Sequence, residues 1–248
     1  MNEVKAKKLE VLAAEIRLET LKVIHSRGFG HVGGSMDLAD LMVAYATFGL
    51  MGFYPMEEAY TLNQPGTKFP SHTDRKLTPG VDLTTGSLGQ GVSTATGAAL
   101  GNRIDGRDNY VYCVVGDGEA DEGQVWEGFH FAYAHKLDNI IYFIDNNGYQ
   151  LDGTTAEVLD HGDIAKKAAG FGLHTQEIDG HDVTAIYEAI EKAKAAKGVP
   201  SCIVLNTSKG KGATFAEPKH DHSSQPKEEQ WQEAIAAAEQ ALEAAKNA

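Results

Sequence analysis

The sequence predicts an α/β protein with a doubly wound parallel sheet and helices on both faces. Short runs of β-branched and aromatic residues alternate with helical segments between residues 110 and 206, a rhythm typical of parallel sheets. The chain has 248 residues, of which 42% are hydrophobic and 23% charged, a composition typical of globular proteins. At this length, one large domain or two small ones are expected.

The N-terminal segment is predicted to form two helices joined by a glycine-rich loop. Apolar residues at helical spacing favour an amphipathic helix over residues 3–27. Gly28 follows this helix and suits the left-handed conformation at which many helices end. After the loop, Ser35 is expected to cap a second helix that runs to about Ala46.

A long loop is expected between residues 61 and 91. This stretch contains three prolines, five glycines and many hydroxyl side chains, and it leads into a helix near residues 88–100 that is rich in small residues. Loops of this length inside a compact domain are usually functional. The loop is therefore a candidate part of a binding site.

The second half of the chain alternates regularly between strands and helices. Continuous apolar runs predict buried strands, which need helices on both faces of the sheet. The predicted strands are residues 110–115, 139–145, 174–178 and 200–206, and the predicted helices are residues 122–135, 163–170, 183–196 and 228–248.

The charge balance narrows the classes of partner. With 22 basic and 35 acidic side chains, the formal net charge is −13, which argues against nucleic acid or an anionic membrane surface as the main partner. No apolar run approaches the ~20 residues that a membrane span needs, and the N-terminus lacks the apolar core of a signal peptide. A cytoplasmic protein is expected, with Cys113 and Cys202 as buried free thiols.

One motif predicts chemistry directly from its residues. Gly116, Asp117 and Gly118 close one predicted strand, and Asn147 follows the next strand, 30 residues after Asp117. The carboxyl ends of neighbouring parallel strands meet at one edge of the sheet, where ligands of such sheets bind. A carboxylate, an amide oxygen and a main-chain carbonyl suit Mg²⁺, which shares its oxygen shell with ligand phosphates. Glycines let the backbone approach a diphosphate, so an acidic chain can bind one through a cation and backbone dipoles.

Longer stretches around this motif resemble the transketolase family. GDGEADEGQVWEG and KLDNIIYFIDNNGYQLDGTT are similar to its thiamine diphosphate motif, and HSRGFGHVGGS, PSHTDRKLTPGVDLTTGSLGQG and NTSKGKGATF agree with further family segments. The matches run in order over nearly the whole chain and correspond only to the amino-terminal half of the family. The resemblance therefore implies a single diphosphate-binding domain over residues 1–248, with the pyrimidine-binding and C-terminal domains expected on a separate chain.

The resemblance implies a site for thiamine diphosphate and a divalent metal, Mg²⁺ or in its place Ca²⁺ or Mn²⁺. The implied metal ligands are Asp117, Asn147 and the backbone carbonyl of Tyr149. The residues implied to contact the cofactor, largely through the main chain, are Gly86, Ser87, Leu88, Gly116, Gly118, Glu119 and Asn147.

The resemblance also implies residues that face the substrate. His31, His72 and His222 match family histidines that donate hydrogen bonds and transfer protons at the sugar hydroxyls and carbonyl. Glu122 matches an acidic position at the subunit interface that assists proton transfer. Glu127 matches a second such position, for which a solvated helix face is the alternative.

The implied reaction is transfer of a two-carbon ketol unit from a ketose phosphate to an aldose phosphate, as in pentose phosphate metabolism. Thiamine diphosphate supplies the electron sink for such chemistry. In this family, the glutamate that activates the aminopyrimidine of the cofactor belongs to the other half. The chain is therefore expected to need a C-terminal transketolase subunit, to assemble as a homodimer of heterodimers, and to be inactive alone.

The sequence departs from the family pattern at several points. Val32 stands where the family usually has proline, which is expected to loosen the loop around His31. After Asp40 the family's Ser-Lys-Gly-His segment is absent, through natural divergence, deletion or degeneration. His222 is followed by Ser-Ser-Gln instead of the usual Gly-Ala-Pro.

Three interpretations of function stay open at this point. The chain is an active transketolase subunit, a catalytically impaired or regulatory subunit that keeps the fold, or a subunit of another thiamine diphosphate enzyme. Lys209 and Lys211 lie on a glycine-rich turn and either contact a sugar phosphate or form a mobile basic loop. A nicotinamide-binding domain is excluded, because no GxGxxG motif follows the first strand.

Overall fold

The computed structural model describes all 248 residues, from Met1 to Ala248. Two compact units can be distinguished, the first comprising residues 1–84, 181–183 and 207–248 and the second residues 85–180 and 184–206. None of the helices combines the length and the hydropathy that a membrane-spanning helix requires. One diphosphate-binding domain over the whole chain remains a prediction.

The elements follow one another in an order that matches most of the sequence predictions. They are, in chain order, α1 (Glu3–His25), α2 (Val32–Asp37), α3 (Ala44–Leu50), α4 (Met56–Ala59), α5 (Gln90–Ile104), β1 (Val111–Gly116), α6 (Gly123–Ala134), β2 (Ile140–Asn146), β3 (Tyr149–Gln150), β4 (Gly153–Thr154), α7 (Thr155–Val158), α8 (Ile164–Gly170), β5 (His174–Asp179), α9 (Val183–Ala195), β6 (Ser201–Asn206) and α10 (Glu228–Asn247).

The first unit is helical, and α1 packs against α10 in its core. Leu21 of α1 and Trp231 of α10 are fully buried, and the ring of Phe215 meets Trp231 edge-on at 4.8 Å between centroids. The predictions of a helix at each end of the chain are confirmed. Gly28 has a φ of +81°, as expected for a residue that ends a helix in the left-handed conformation.

The second unit contains the predicted parallel sheet, with strand order β1-β2-β6-β5. Val92 of α5 and Phe129 of α6 pack on one face in the same cluster as Tyr142. On the other face, Ser201 Oγ donates to the carbonyl of Ala193 in α9 at 3.4 Å. Helices therefore lie on both faces, and the predicted fold class is confirmed. The hairpin β3–β4 follows β2 as a separate two-stranded antiparallel sheet.

Strand β1 is only half buried, so the prediction of a fully buried first strand is wrong. Cys113 and Val115 point into the core, but the side chain of Tyr112 is 50% exposed and Val114 is also exposed. The reason is the position of β1 at the edge of the sheet. Cys113 and Cys202 are buried free thiols, as predicted, and burial raises the pKa of Cys113 to about 12.

The predicted helix from Ser35 to about Ala46 is also wrong, because two shorter helices occupy this region. Ser35 lies inside α2, which ends at Asp37, and α3 begins only at Ala44. Tertiary hydrogen bonds explain the break. The buried Asp37 accepts a hydrogen bond from the backbone N–H of Gly210, and such contacts override local helix propensity.

Candidate functional site

The first part of the candidate site is the turn that follows β1. Gly116 pairs with Asp145 of β2, and the N–H of Asp117 donates to the carbonyl of Asp145 at 3.0 Å. The Asp117 side chain is only 2% exposed. Its Oδ1 accepts from Gly118 N at 2.7 Å and its Oδ2 accepts from Gly148 N at 2.6 Å. One buried carboxylate thus joins the ends of two neighbouring strands.

Asn147 and Tyr149 lie on the turn after β2, beside Asp117. The Asn147 Oδ1 accepts from Tyr149 N at 2.9 Å, and its Nδ2 donates to Asp145 Oδ2 at 3.2 Å. Between them, Gly148 has a φ of +77°, which glycine adopts without strain. The structure therefore brings together Asp117 and the turn that carries the other two predicted metal ligands, as the strand topology predicted.

The donor set fits a divalent cation that also binds phosphate. A carboxylate oxygen, an amide oxygen and a main-chain carbonyl are hard ligands, and Mg²⁺ binds through one or two carboxylates plus substrate phosphates. No cluster of three or more His, Cys, Asp or Glu side chains suited to a metal occurs in residues 1–248. The set of Asp117, Asn147 and the Tyr149 carbonyl is thus a shared site rather than a closed protein cage, and its assignment stays a prediction.

The second part is the turn of Gly86, Ser87 and Leu88, which is exposed before the start of α5. Leu88 exposes 56% of its surface, which suits a residue predicted to pack on a ligand. The next residue, Gly89, is the left-handed N-cap of α5, with a φ of +78°. Its N–H donates to Glu119 Oε1 at 2.8 Å.

Glu119 has a role that sequence reasoning missed, because the resemblance implied only its main chain. Its Oε1 binds Gly89 N, and its Oε2 accepts from Gly116 N at 3.2 Å. One carboxylate therefore ties the turn after β1 to the turn before α5. Nothing in the local sequence pattern predicts this pair of hydrogen bonds.

Replacing Glu119 with alanine is expected to lower the free energy of unfolding by about 2 kcal/mol, because two N–H groups lose a charged acceptor. Glu119→Gln should lose part of this amount, since a glutamine amide offers one acceptor oxygen where the carboxylate offers two. Urea denaturation of the three proteins measures the difference. The exposed Glu239→Gln in α10 is the control and should change stability by less than about 0.5 kcal/mol. An equally small loss for Glu119→Ala would contradict a stabilising role for its hydrogen bonds to Gly89 and Gly116.

A separate cluster of three histidines lies in the first unit. The ring of His31 lies 5.6 Å from that of His72 and 5.5 Å from that of His222, centroid to centroid. Gly30 and Ser224 exchange backbone hydrogen bonds of 3.3 and 3.2 Å that hold two of these loops together. The structure thus brings together all three histidines that the resemblance singled out.

The electrostatics of the histidine cluster favour the neutral imidazole form. Partial burial and the neighbouring His72 lower the pKa of His31. Burial, together with Lys209 and His31, lowers the pKa of His222. Neutral imidazoles carry one acceptor and one donor nitrogen each, which is the form that can accept a proton from a sugar hydroxyl.

Two predictions concern the loops around these histidines. The N–H of Val32 donates to Gly30 O at 2.9 Å, a bond that proline cannot make, and a looser loop around His31 stays a prediction. The expectation of an exposed basic turn is wrong for Lys209, which is only 2% exposed. The Lys211 Nζ lies 3.4 Å from Glu217 Oε1. Burial of Lys209 is a tertiary effect without a signal in the glycine-rich sequence around it.

Glu122 and Glu127 are both exposed on α6 or at its start. Glu122 occupies the N-cap position of α6. It packs close to Gly89, since a Cβ built on that glycine would lie 3.2 Å from the Cβ of Glu122. Nearby, Trp126 Nε1 donates to Ala120 O at 2.7 Å. Both carboxylates are accessible to a second chain, and their predicted roles in proton transfer stay predictions.

Asp40 is held in the first unit by an ion pair with Arg17 and a hydrogen bond from His181. Asp40 Oδ2 lies 2.7 Å from Arg17 Nη2 and 2.9 Å from His181 Nδ1. The His181 Nε2 accepts from Ser208 N at 2.9 Å, so its Nδ1 carries the proton donated to Asp40. Burial disfavours the charged carboxylate, but His181 and Arg17 outweigh this effect and lower the pKa of Asp40. A short connection then leads directly into α3.

Comparison with known proteins identifies the family. The family described as "Transketolase, thiamine diphosphate binding domain" matches residues 39–242. The chain belongs to this transketolase family. Within it, the chain resembles the 6-deoxy-6-sulfo-D-fructose transketolase subunit SqwG of Clostridium sp., with 42% identity over 92% of this chain and 95% of that subunit.

Other members of the transketolase family match less of their own length. An apulose-4-phosphate transketolase subunit of Actinobacillus succinogenes is 34% identical over 74% of this chain and 66% of its own. The crystal structure of Campylobacter jejuni transketolase superimposes with a TM-score of 0.86 at 27% identity and covers 96% of this chain. This chain spans only 43% of that transketolase.

Proposed function

We propose that this chain is the diphosphate-binding subunit of a thiamine diphosphate-dependent transketolase. The single observation that carries the proposal is the buried Asp117 carboxylate, which joins the turns after β1 and β2 beside Asn147. This is the arrangement of oxygen ligands that a magnesium diphosphate requires at the carboxyl edge of a parallel sheet. Family membership supports the same cofactor.

The proposed reaction is the transfer of a two-carbon ketol unit from a ketose to an aldose. Relatives are named for 6-deoxy-6-sulfo-D-fructose and for apulose-4-phosphate, so we propose a ketose that carries a phosphate or a related anionic group as the donor. When bound, thiamine diphosphate supplies the electron sink for this chemistry.

The groups described in each unit have separate tasks in this proposal. Asp117, Asn147 and the Tyr149 carbonyl hold Mg²⁺. The residues proposed to contact the cofactor, in large part through main-chain groups, are Gly86, Ser87, Leu88, Gly116, Gly118, Glu119 and Asn147. The histidine cluster holds and moves protons at the sugar hydroxyls and carbonyl. Glu122 assists proton transfer at the interface with a second subunit.

The proposed partner is a separate chain that carries the pyrimidine-binding half, in a cytoplasmic homodimer of heterodimers. Relatives named as transketolase subunits support a divided enzyme. An exposed apolar face of the second unit supports this proposal. There, Phe131 of α6 is exposed beside the small residue Gly97 of α5. Exposed apolar side chains next to small residues are typical of protein interfaces.

A second candidate function is a related subunit with weakened or no turnover. The absence of the Ser-Lys-Gly-His segment after Asp40 favours it. The alignment with the Clostridium subunit runs over 261 positions, whereas this chain has 248 residues. The alignment includes 92% of this chain, or about 228 residues. About 33 positions of that relative (261 − 228) therefore have no counterpart here, and we propose that they include this segment.

Reconstitution with the partner subunit tests the proposed function. The pair, supplied with thiamine diphosphate and Mg²⁺, is expected to transfer ketol units from a ketose phosphate to an aldose phosphate, whereas either chain alone should give no turnover. Chelation with EDTA should abolish both cofactor binding and turnover. A pair that binds the cofactor without turnover would instead support the impaired subunit. Turnover with a 2-oxo acid alone as donor would favour another thiamine diphosphate enzyme.

A further inference from the structure

Gln150 lies against the turn that contains Gly118. It is the second residue of β3, directly after Tyr149, and pairs with Gly153 across the hairpin. A Cβ built on Gly118 would lie 2.7 Å from the Cβ of Gln150 and 3.1 Å from its Oε1. The Gln150 side chain therefore covers the backbone of Gly118, and only glycine at position 118 leaves room for it.

The amide nitrogen of Gln150 is buried without a hydrogen-bond partner. A buried N–H group without an acceptor is rare in folded proteins, because it has lost water and gained nothing in return. Asp121 Oδ2, on the short 3₁₀ turn after Gly118, is also buried without a partner. The two atoms therefore do not satisfy each other, and the Gln150 amide retains an unused donor.

The charges around this donor indicate which kind of ligand group could accept a hydrogen bond from it. Asp117 and Glu119 place carboxylates on the turn after β1, and Asp145 places one near the end of β2. Each of these carboxylates repels an anion. A neutral amide donor attracts a phosphate oxygen without needing a counter-charge, and phosphate oxygens only accept hydrogen bonds from it. A diphosphate bound through a cation at Asp117 would present such oxygens to groups on these turns.

We propose that the Gln150 side-chain amide donates a hydrogen bond to a diphosphate oxygen of the cofactor, in addition to the contacts that the family resemblance implies. This inference rests on the proposed binding of thiamine diphosphate and adds a side-chain contact to that site. The bound diphosphate would then supply the acceptor that the buried amide lacks.

Calorimetry with thiamine diphosphate and with inorganic pyrophosphate, each with Mg²⁺, tests the proposal. Gln150→Leu removes the amide at similar volume and is expected to weaken binding of both ligands roughly five- to tenfold. Gln150→Glu keeps the shape but adds a carboxylate and should weaken both ligands further. Gln232→Leu, an exposed glutamine on α10, is the matched control and should leave both affinities unchanged.

Melting temperature separates a ligand contact from a structural role. Without ligand, Gln150→Leu should melt at the wild-type temperature or above, because the substitution removes a buried unsatisfied donor. With Mg²⁺ and thiamine diphosphate, its melting temperature should rise less than that of the wild type. If the ligand-free variant melts well below the wild type, Gln150 has a structural role and the inference is overturned.

The outcomes also separate this inference from the proposed function. Wild-type binding with equal or tighter binding by Gln150→Leu would overturn the Gln150 contact and leave the proposed function intact. Tighter binding in particular would mean that the side chain occupies the place of the diphosphate. A wild-type chain that binds neither ligand with Mg²⁺, whether alone or with the partner subunit, would overturn both the inference and the proposed function.

Discussion

Replacing Asp117 with alanine is expected to reduce Mg²⁺-dependent binding of thiamine diphosphate by at least about 100-fold, because mutating even the outer partners of metal ligands costs 10- to 100-fold. The substitution also removes the acceptor of the Gly118 and Gly148 N–H groups. Unsatisfied buried N–H groups cost about 1–3 kcal/mol each, so the variant should unfold at lower urea as well. Calorimetry and urea denaturation measure the two effects separately.

Asp117→Asn separates metal binding from folding. Asparagine keeps the shape and one acceptor oxygen, so its stability should fall less than that of the alanine variant. Its affinity for the magnesium complex should still fall strongly, because an amide oxygen is a weaker ligand for a hard cation than a carboxylate. Asp105→Asn, an exposed residue after α5, should change neither quantity. Unchanged cofactor affinity in Asp117→Asn would remove Asp117 from the metal site.

Replacing His31 with asparagine is expected to lower ketol transfer by the reconstituted enzyme about 100-fold, the lower end of the usual range for a group that transfers protons. His31 lies between His72 and His222 in the cluster, so its loss also removes their shared neighbour. Cofactor affinity should stay near that of the wild type. His135→Asn on the exposed end of α6 is the control, and equal turnover of the two variants would exclude His31 from proton transfer.

The pH dependence of the wild-type enzyme follows from the same cluster. The pKa values of His31 and His222 lie below the ordinary value of 6.5, so both imidazoles stay neutral as the pH falls to that value. Turnover should decline only at lower pH, when they become protonated. The free energy of unfolding should change in the same direction. The contribution of the neutral histidines is complete above pH 6.5, the ordinary pKa, and is lost as the pH falls through their lowered pKa values. A pH–rate profile and urea denaturation at several pH values measure both trends.

The parallel α/β arrangement, the adjacency of the first two strands and the contact between Asp117 and the Asn147 turn could be predicted from the sequence. Parallel strands of β-branched residues that alternate with helices have few possible arrangements, and consecutive strands place their ends side by side. The resemblance to transketolases located the three histidines, which the structure brings together. Their distances and their lowered pKa values came only from the structure, because they depend on how the loops pack.

Other features depend on contacts between distant parts of the chain. The break between α2 and α3 reflects the hydrogen bond between Asp37 and Gly210, two positions far apart in sequence. The exposure of Tyr112 reflects the place of β1 at the edge of the sheet, which a run of apolar residues does not reveal. Lys209 likewise is in a turn-like sequence, although it is buried.

By itself, the sequence determined the alternation of strands and helices, the family resemblance and the identity of the predicted metal ligands. These follow from periodicity and from residue types at fixed spacing, which are local properties of the chain. The tertiary structure decided which polar groups meet. It placed the Glu119 carboxylate between Gly89 and Gly116, and it left the Gln150 amide buried beside Gly118 without a partner. The Gly89–Glu119 hydrogen bond and the contact of Gln150 with Gly118 join residues at least 30 positions apart, so only folding can specify them.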